Sequence, residues 1–111
     1  MRVESKTAFR VRVEQAIQQN LNNTNFSLNA LMREMGMGRT FFFLKFRMAF
    51  GTTPNNYIRI ARLERSAQLL RQKSLAITQI ALYVGFSSVA YYTKCFREHY
   101  GITPTEFQKR G

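Results

Sequence analysis

The chain has 111 residues, 45% of them hydrophobic, and sets 17 Lys+Arg against 6 acids for a formal charge of +11. That size and apolar content suit one compact domain, or two very small ones sharing a helix, and exclude wholesale disorder. No apolar run is long enough for a membrane span or a signal peptide, and the single cysteine fits a reducing compartment, so a soluble, cytoplasmic chain is expected.

A charge excess of this size favours polyanions, nucleic acid before anionic membrane. In chain order, Phe9, Val13, Ala16, Ile17 and Leu21 mark an opening helix, and the polar NNTNFS that follows makes a turn. Leu28, Leu31, Met32 and Met35 keep helical spacing after a Ser27 cap and stop at Gly36. A second short helix carries Phe42, Phe46 and Ala49 inward, with Lys45 and Phe41 on the flank of that arc. Thr53 then caps a long helix over 54–72, with Pro54 in its first position and Tyr57, Ile60, Ala61, Leu63, Ala67 and Leu70 in helical period. Ile77, Ile80, Ala81 and Val84 form the next helix, ending at Gly85; its cap position is Ala76, so its start should fray or borrow Ser74. Ser87 is the expected cap of the following helix, which turns Tyr92, Cys95 and Phe96 inward. Thr103, Pro104 and Glu106 spell a capping box before a last short helix with Phe107 facing the core. The predicted fold is all-α, about seven helices, without sheet.

The elements repeat. GTTP at Gly51 to Pro54 returns as GITP at Gly101 to Pro104, and FFFLKFRMAFG answers YYTKCFREHYG. SLNALMREMG (27–36) likewise matches AITQIALYVG (76–85), one residue closer because the second copy has a longer turn. Two copies are too few for a solenoid and read as duplicated modules. Each pairs two short helices across a turn with glycine, the helix-turn-helix pattern. The expected layout is a first module over about 7–52, a linker helix over about 54–72 and a second module over about 74–111. At ~1.5 Å per residue that linker spans about 28 Å, close to the roughly 34 Å between successive major-groove faces on one side of B-DNA.

RLERSAQLL in the linker, then ALYVGF, Phe96 and GITP, closely resemble the DNA-binding domain of AraC/XylS-type bacterial transcription regulators, over roughly residues 9 to 109. KCFREHYGITPTEFQK and the MGMGRT turn are similar to the output modules of hybrid two-component regulators of that family. The resemblance implies a domain that grips adjacent major grooves with its third and sixth helices. It also implies RNA polymerase as a further partner, and a sensory or dimerising region that usually precedes such a domain.

On the third helix, the arc implied to face DNA holds Arg39, Thr40, Phe43, Leu44 and Arg47. Phe43 and Leu44 stand where relatives often carry hydrogen-bonding side chains; an apolar residue can still read the thymine methyl group. Thr40, Phe43 and Leu44 are thus candidate base readers, favouring A·T-rich sequence, with Arg39 and Arg47 on phosphates. On the sixth helix, spacing exposes Ser88, Val89, Ala90, Thr93, Lys94 and Arg97. Ser88, Thr93 and Lys94 can hydrogen-bond base edges, with Lys94 equally suited to a phosphate contact; Val89 and Ala90 can approach methyl groups, and Arg97 suits phosphate.

One histidine (His99), one cysteine (Cys95), no aspartate and no glycine-rich phosphate loop leave no catalytic constellation, metal set or cofactor motif, so no enzyme, metal or cofactor is expected. The competing reading is a basic amphipathic protein that meets anionic membrane, or another protein, through the Phe43/Leu44 face. Capped repeats and a length-matched linker favour DNA.

Overall fold

The computed structural model describes residues 4–23 and 26–110; Thr24 and Asn25 in the expected NNTNFS turn, and Gly111 at the end of the second module, lie outside them. All the regular elements among the described residues are helices: α1 Lys6–Asn20, α2 Leu28–Met35, α3 Arg39–Phe50, α4 Pro54–Gln72, α5 Ile77–Tyr83, α6 Val89–Tyr100 and α7 Pro104–Arg110.

Most boundaries follow from local chemistry. The Ser27 hydroxyl accepts the Ala30 amide at 3.2 Å, the Thr53 hydroxyl accepts that of Asn56 at 3.2 Å, and Pro54 opens α4 without needing a hydrogen bond. Gly36 and Gly51 end α2 and α3 at φ 68° and 72°, in the left-handed region that costs other residues energy. At α7 the Glu106 amide bonds to the Thr103 hydroxyl at 3.2 Å while the Glu106 carboxylate accepts from Thr103, which pulls the Glu106 pKa below its ordinary value.

Two caps depart from the sequence reading. Ser88, not Ser87, caps α6, its Oγ accepting the Tyr91 amide at 3.1 Å. Ser88 is the internal counterpart of Gly38, the cap residue of α3, so the repeat register and the cap coincide. At α5 the support comes from Gln79 and not from Ser74: the Ala76 amide donates to the Gln79 side-chain oxygen at 2.9 Å, leaving α5 with the returning half of a capping box.

Packing produces two cores, not one. The first joins Phe9, Val13, Ile17, Leu31, Met35, Phe42, Phe46 and Ile58; the second joins Leu63, Ala67, Leu70, Ile80, Val84, Phe86, Tyr92 and Phe96. Helix α4 serves both. Tyr57, Ile58 and Ala61 face the first core, and Leu63, Ala67, Leu69 and Leu70 face the second. Ile60, expected inward, is only half-buried and Ile58 takes the core position, because a helix packed against two neighbours at different heights has no single apolar stripe.

An aromatic ladder recurs at the internal repeat. Phe46 stacks on Phe50 with centroids 4.2 Å apart, and Phe96 lies 4.5 Å from Tyr100. Tyr57 meets Phe46 edge-on at 5.8 Å, as Phe107 meets Phe96 at 5.3 Å. α7 thus repeats the opening turn of α4, and its Phe107 closes the second core. The molecule measures 53 × 23 × 21 Å, its two modules strung along α4.

Phe96 is fully buried at the centre of its ladder, so Phe96→Ala should cost about 3–5 kcal/mol in urea unfolding. Met48, 75% exposed, should change stability by no more than about 0.5 kcal/mol when replaced by Ala.

Candidate nucleic-acid interface

The reader helices α3 and α6 each have 12 residues, and each seats its inner face on its own core. Phe42, Phe46 and Ala49 bury one side of α3; Tyr92, Cys95 and Phe96 bury the corresponding side of α6. The remaining arc of each helix is then directed outward by packing alone.

On α3 the structure brings Arg39, Thr40, Phe43 and Leu44 together around one shallow depression. Their exposure is unequal. Leu44 projects, 62% exposed, whereas Phe43 is half-buried, packed on the first core with its ring edge-on to Phe42 at 6.3 Å. The Arg39 guanidinium lies over the Phe43 ring at 5.0 Å, a cation–π contact that shelters the ring further. Phe43 therefore serves as a platform for Arg39, and Leu44 is the projecting apolar group of this arc. Arg47 is exposed one turn on.

On α6, Ala90, Lys94 and Arg97 are exposed, but Val89 is half-buried against the second core and Thr93 is half-buried too. The Ser88 oxygen is occupied by its cap, which leaves its hydroxyl hydrogen as the group free to donate. The Lys94 ammonium rests 4.0 Å from the Glu98 carboxylate, with both side chains largely in solvent. Ion pairs at Arg10, Arg12, Lys45 and Lys94 use Glu14, Glu4 and Glu98; among the described residues none is formed by Arg39, Arg47 or Arg97.

Two exposed aromatics escaped the sequence reading. Phe41, placed there on the flank of the buried arc, is 60% exposed, and its internal counterpart Tyr91 is 49% exposed. The repeat register was the available signal, since it aligns Phe41 with Tyr91 on the first turn of each reader. Arg59 was also missed; it is exposed on α4, donating to the Asn56 side chain.

Between the modules runs an open trough. Ser27 and Leu28 at the start of α2, Asn55, Arg59 and Arg62 of α4, and Gly85, Ser87 and Tyr91 around the start of α6 line it together. The scaffold helix of the first module and the reader of the second thus border one groove. Elsewhere His99 is exposed and Cys95 buried, and no group of three His, Cys, Asp or Glu among the described residues could hold a metal ion. No described helix is long and apolar enough to cross a membrane.

Residues 31–110 match the family described as a helix-turn-helix domain. The chain belongs to the AraC/XylS-type regulators. This AraC/XylS-type domain is 36% identical over 81 residues to the virulence regulon transcriptional activator VirF of Yersinia enterocolitica, covering 73% of this chain and 30% of that protein. It is 37% identical over 105 residues to a histidine kinase of Formosa agariphila, covering 95% of this chain but 7% of the kinase. The chain therefore spans under a third of these two relatives. Among solved structures, the C-terminal domain of the two-component response regulator yesN from Fusobacterium nucleatum superposes with a TM-score of 0.85 at 25% identity, covering 90% of this chain and 97% of that one. The DNA-binding domain of AdpA, solved in complex with a target DNA, shares the fold with a TM-score of 0.84 at 23% identity, over 91% of this chain and 89% of that one. The family is one of DNA-binding transcription regulators, not of enzymes.

Glu98 holds Lys94 weakly and adds negative charge to the reader helix. Glu98→Gln should tighten duplex binding roughly 2- to 5-fold at low salt, a gain that shrinks as added salt screens exposed charge. Fluorescence anisotropy across a salt series measures it.

Proposed function

We propose that this domain binds a bipartite duplex site, α3 and α6 entering neighbouring major grooves on one side of the DNA, as the output module of a larger regulator. The observation that carries this reading is the pair of equal-length readers set along one unbroken α4, with both modules bordering a single trough.

The first module reads little and grips well. Leu44, seated beside Phe43 and Thr40, approaches thymine methyl groups, while Arg39 and Arg47 hold phosphates. The second module carries the richer code. Lys94 donates to guanine O6 and N7, Ser88 and Thr93 donate to base edges, Ala90 and the exposed part of Val89 meet methyl groups, and Arg97 holds the backbone. The Lys94 ammonium is available for this contact because its only ion-pair partner among the described residues is distant and solvated.

The likeness to a histidine kinase and to a response regulator's C-terminal domain supports placement in a hybrid two-component regulator of the cytoplasm. Sensing and dimerisation then belong to other parts of such a protein. VirF is named a transcriptional activator, which supports RNA polymerase as a second partner.

Selection from random duplexes followed by footprinting tests the reading. Protection is expected over two neighbouring major grooves on one side, with stronger sequence preference under α6. With six to eight phosphates neutralised, log K should fall with log[salt] at a slope of about −5 to −7. Leu44→Ala should relax the preference for thymine under α3, and Arg47→Ala should weaken all sequences alike while lowering the slope by about 1. Protection of one groove only, or equal retention on anionic vesicles, would overturn the proposal.

A further inference from the structure

The two cores share no buried residue, so the angle between the modules is not set by a common apolar interior. Besides the α4 backbone, a side-chain junction ties them together. It lies halfway along α4, at Arg62. The Arg62 guanidinium reaches back to the turn just after α1, Nη2 donating to the Asn23 carbonyl at 3.2 Å. Its other side lies against Gly85, in the turn of the second module. A Cβ built on Gly85 would stand 2.7 Å from Arg62 Nε, 3.0 Å from Cζ and 2.3 Å from the Leu21 carbonyl oxygen. Three segments therefore meet without space between them: the end of α1, the middle of α4 and the turn that leads into α6.

We propose that the Arg62–Gly85 junction sets the spacing and phase of the two half-sites this domain accepts, making Arg62 a positioning residue for the second reader. The inference rests on the two-groove reading above.

The physical argument has three parts. First, the guanidinium is tied by its hydrogen bond to the Asn23 carbonyl in the turn just after α1, beside the Leu21 carbonyl that Gly85 approaches. Second, the seat is costly. Arg62 Nε is buried without a hydrogen-bond partner among the described residues, and burial pulls the Arg62 pKa below its ordinary value. A flexible side chain that needed only solvent would leave such a position, so close packing on both sides must hold it there. Third, Gly85 adopts φ 101°, and its lack of a side chain is what lets the second module's turn touch the Leu21 carbonyl directly. Moving one half-site by a base pair shifts it along the axis by ~3.4 Å and turns it by about a tenth of a revolution. A stiff junction rejects that displacement, and a loose one tolerates it by bending.

The test uses duplexes carrying both selected half-sites at the preferred spacing and at one base pair more or less. Folded wild-type protein should prefer one spacing on the order of tenfold, because a mispositioned second half forfeits its effective concentration. Arg62→Ala should flatten that preference to within about 2- to 3-fold, while circular dichroism shows retained helix. Arg62→Lys, which keeps a charge but not the planar group packed on Gly85, should be intermediate. Gly85→Ala should shift or erase the preference, and since it also strains the backbone, Arg62→Ala is the deciding variant. If Arg62→Ala keeps the wild-type spacing profile, the junction proposal is wrong while two-groove binding stands. If wild type itself protects one groove and ignores spacing, the underlying reading has failed, and the junction proposal with it.

Discussion

A single helix packed into two aromatic cores is the constraint on which the rest depends. α4 offers Tyr57 and Ile58 to one core and Leu63, Ala67 and Leu70 to the other, and it remains regular from Pro54 to Gln72. Because each core seizes the same two aromatic positions of its helix, Phe42 and Phe46 in one and Tyr92 and Phe96 in the other, both helices are oriented by burial alone. The aromatic ladder makes the orientation firm. A close aromatic pair one turn apart, stacked in α3 and tilted in α6, wedged by an edge-on ring from the next helix, leaves little room for the reader to roll.

That arrangement also divides labour between the modules. Burial withdraws most of the aromatic surface of α3, yet Phe41, Leu44 and Met48 remain exposed beside Arg39 and Arg47. Such a helix attracts phosphate strongly and offers bases few hydrogen bonds. α6 shows the opposite balance, with Lys94, Thr93 and Ser88 at the equivalent surface. On the proposed reading, affinity is spread over the whole basic surface and sequence choice is concentrated in the second half. A two-part reader of the proposed kind depends on the distance between its parts, and this is the proposed role of the Arg62 contact with Asn23 and Gly85, away from both reading arcs.

Much of this was legible from residue order. Apolar periods, glycine stops and the GTTP/GITP repeat mark seven helices and their pairing, because helix caps and amphipathic spacing are local properties. The capping box at Thr103 and the inward turn of Phe42, Phe46, Tyr92 and Phe96 follow from the same rules. Where two candidates competed locally the reading faltered. Ser87 and Ser88 are chemically identical caps, and only the backbone conformation selects Ser88. Gln79 supports the start of α5 by a reach across three residues that the weak cap Ala76 did not advertise.

Composition and spacing by themselves determined the helical class, the duplication, the basic character and the face of each reader that turns inward, since each is a sum over nearby residues. Tertiary structure alone decided how α4 splits its faces between two cores, how far Phe43 and Val89 sink while Phe41 and Tyr91 stay out, and that Arg62 meets Gly85. Those outcomes depend on which surfaces arrive at the same place after folding, and no local pattern encodes a meeting between residues that far apart in the chain.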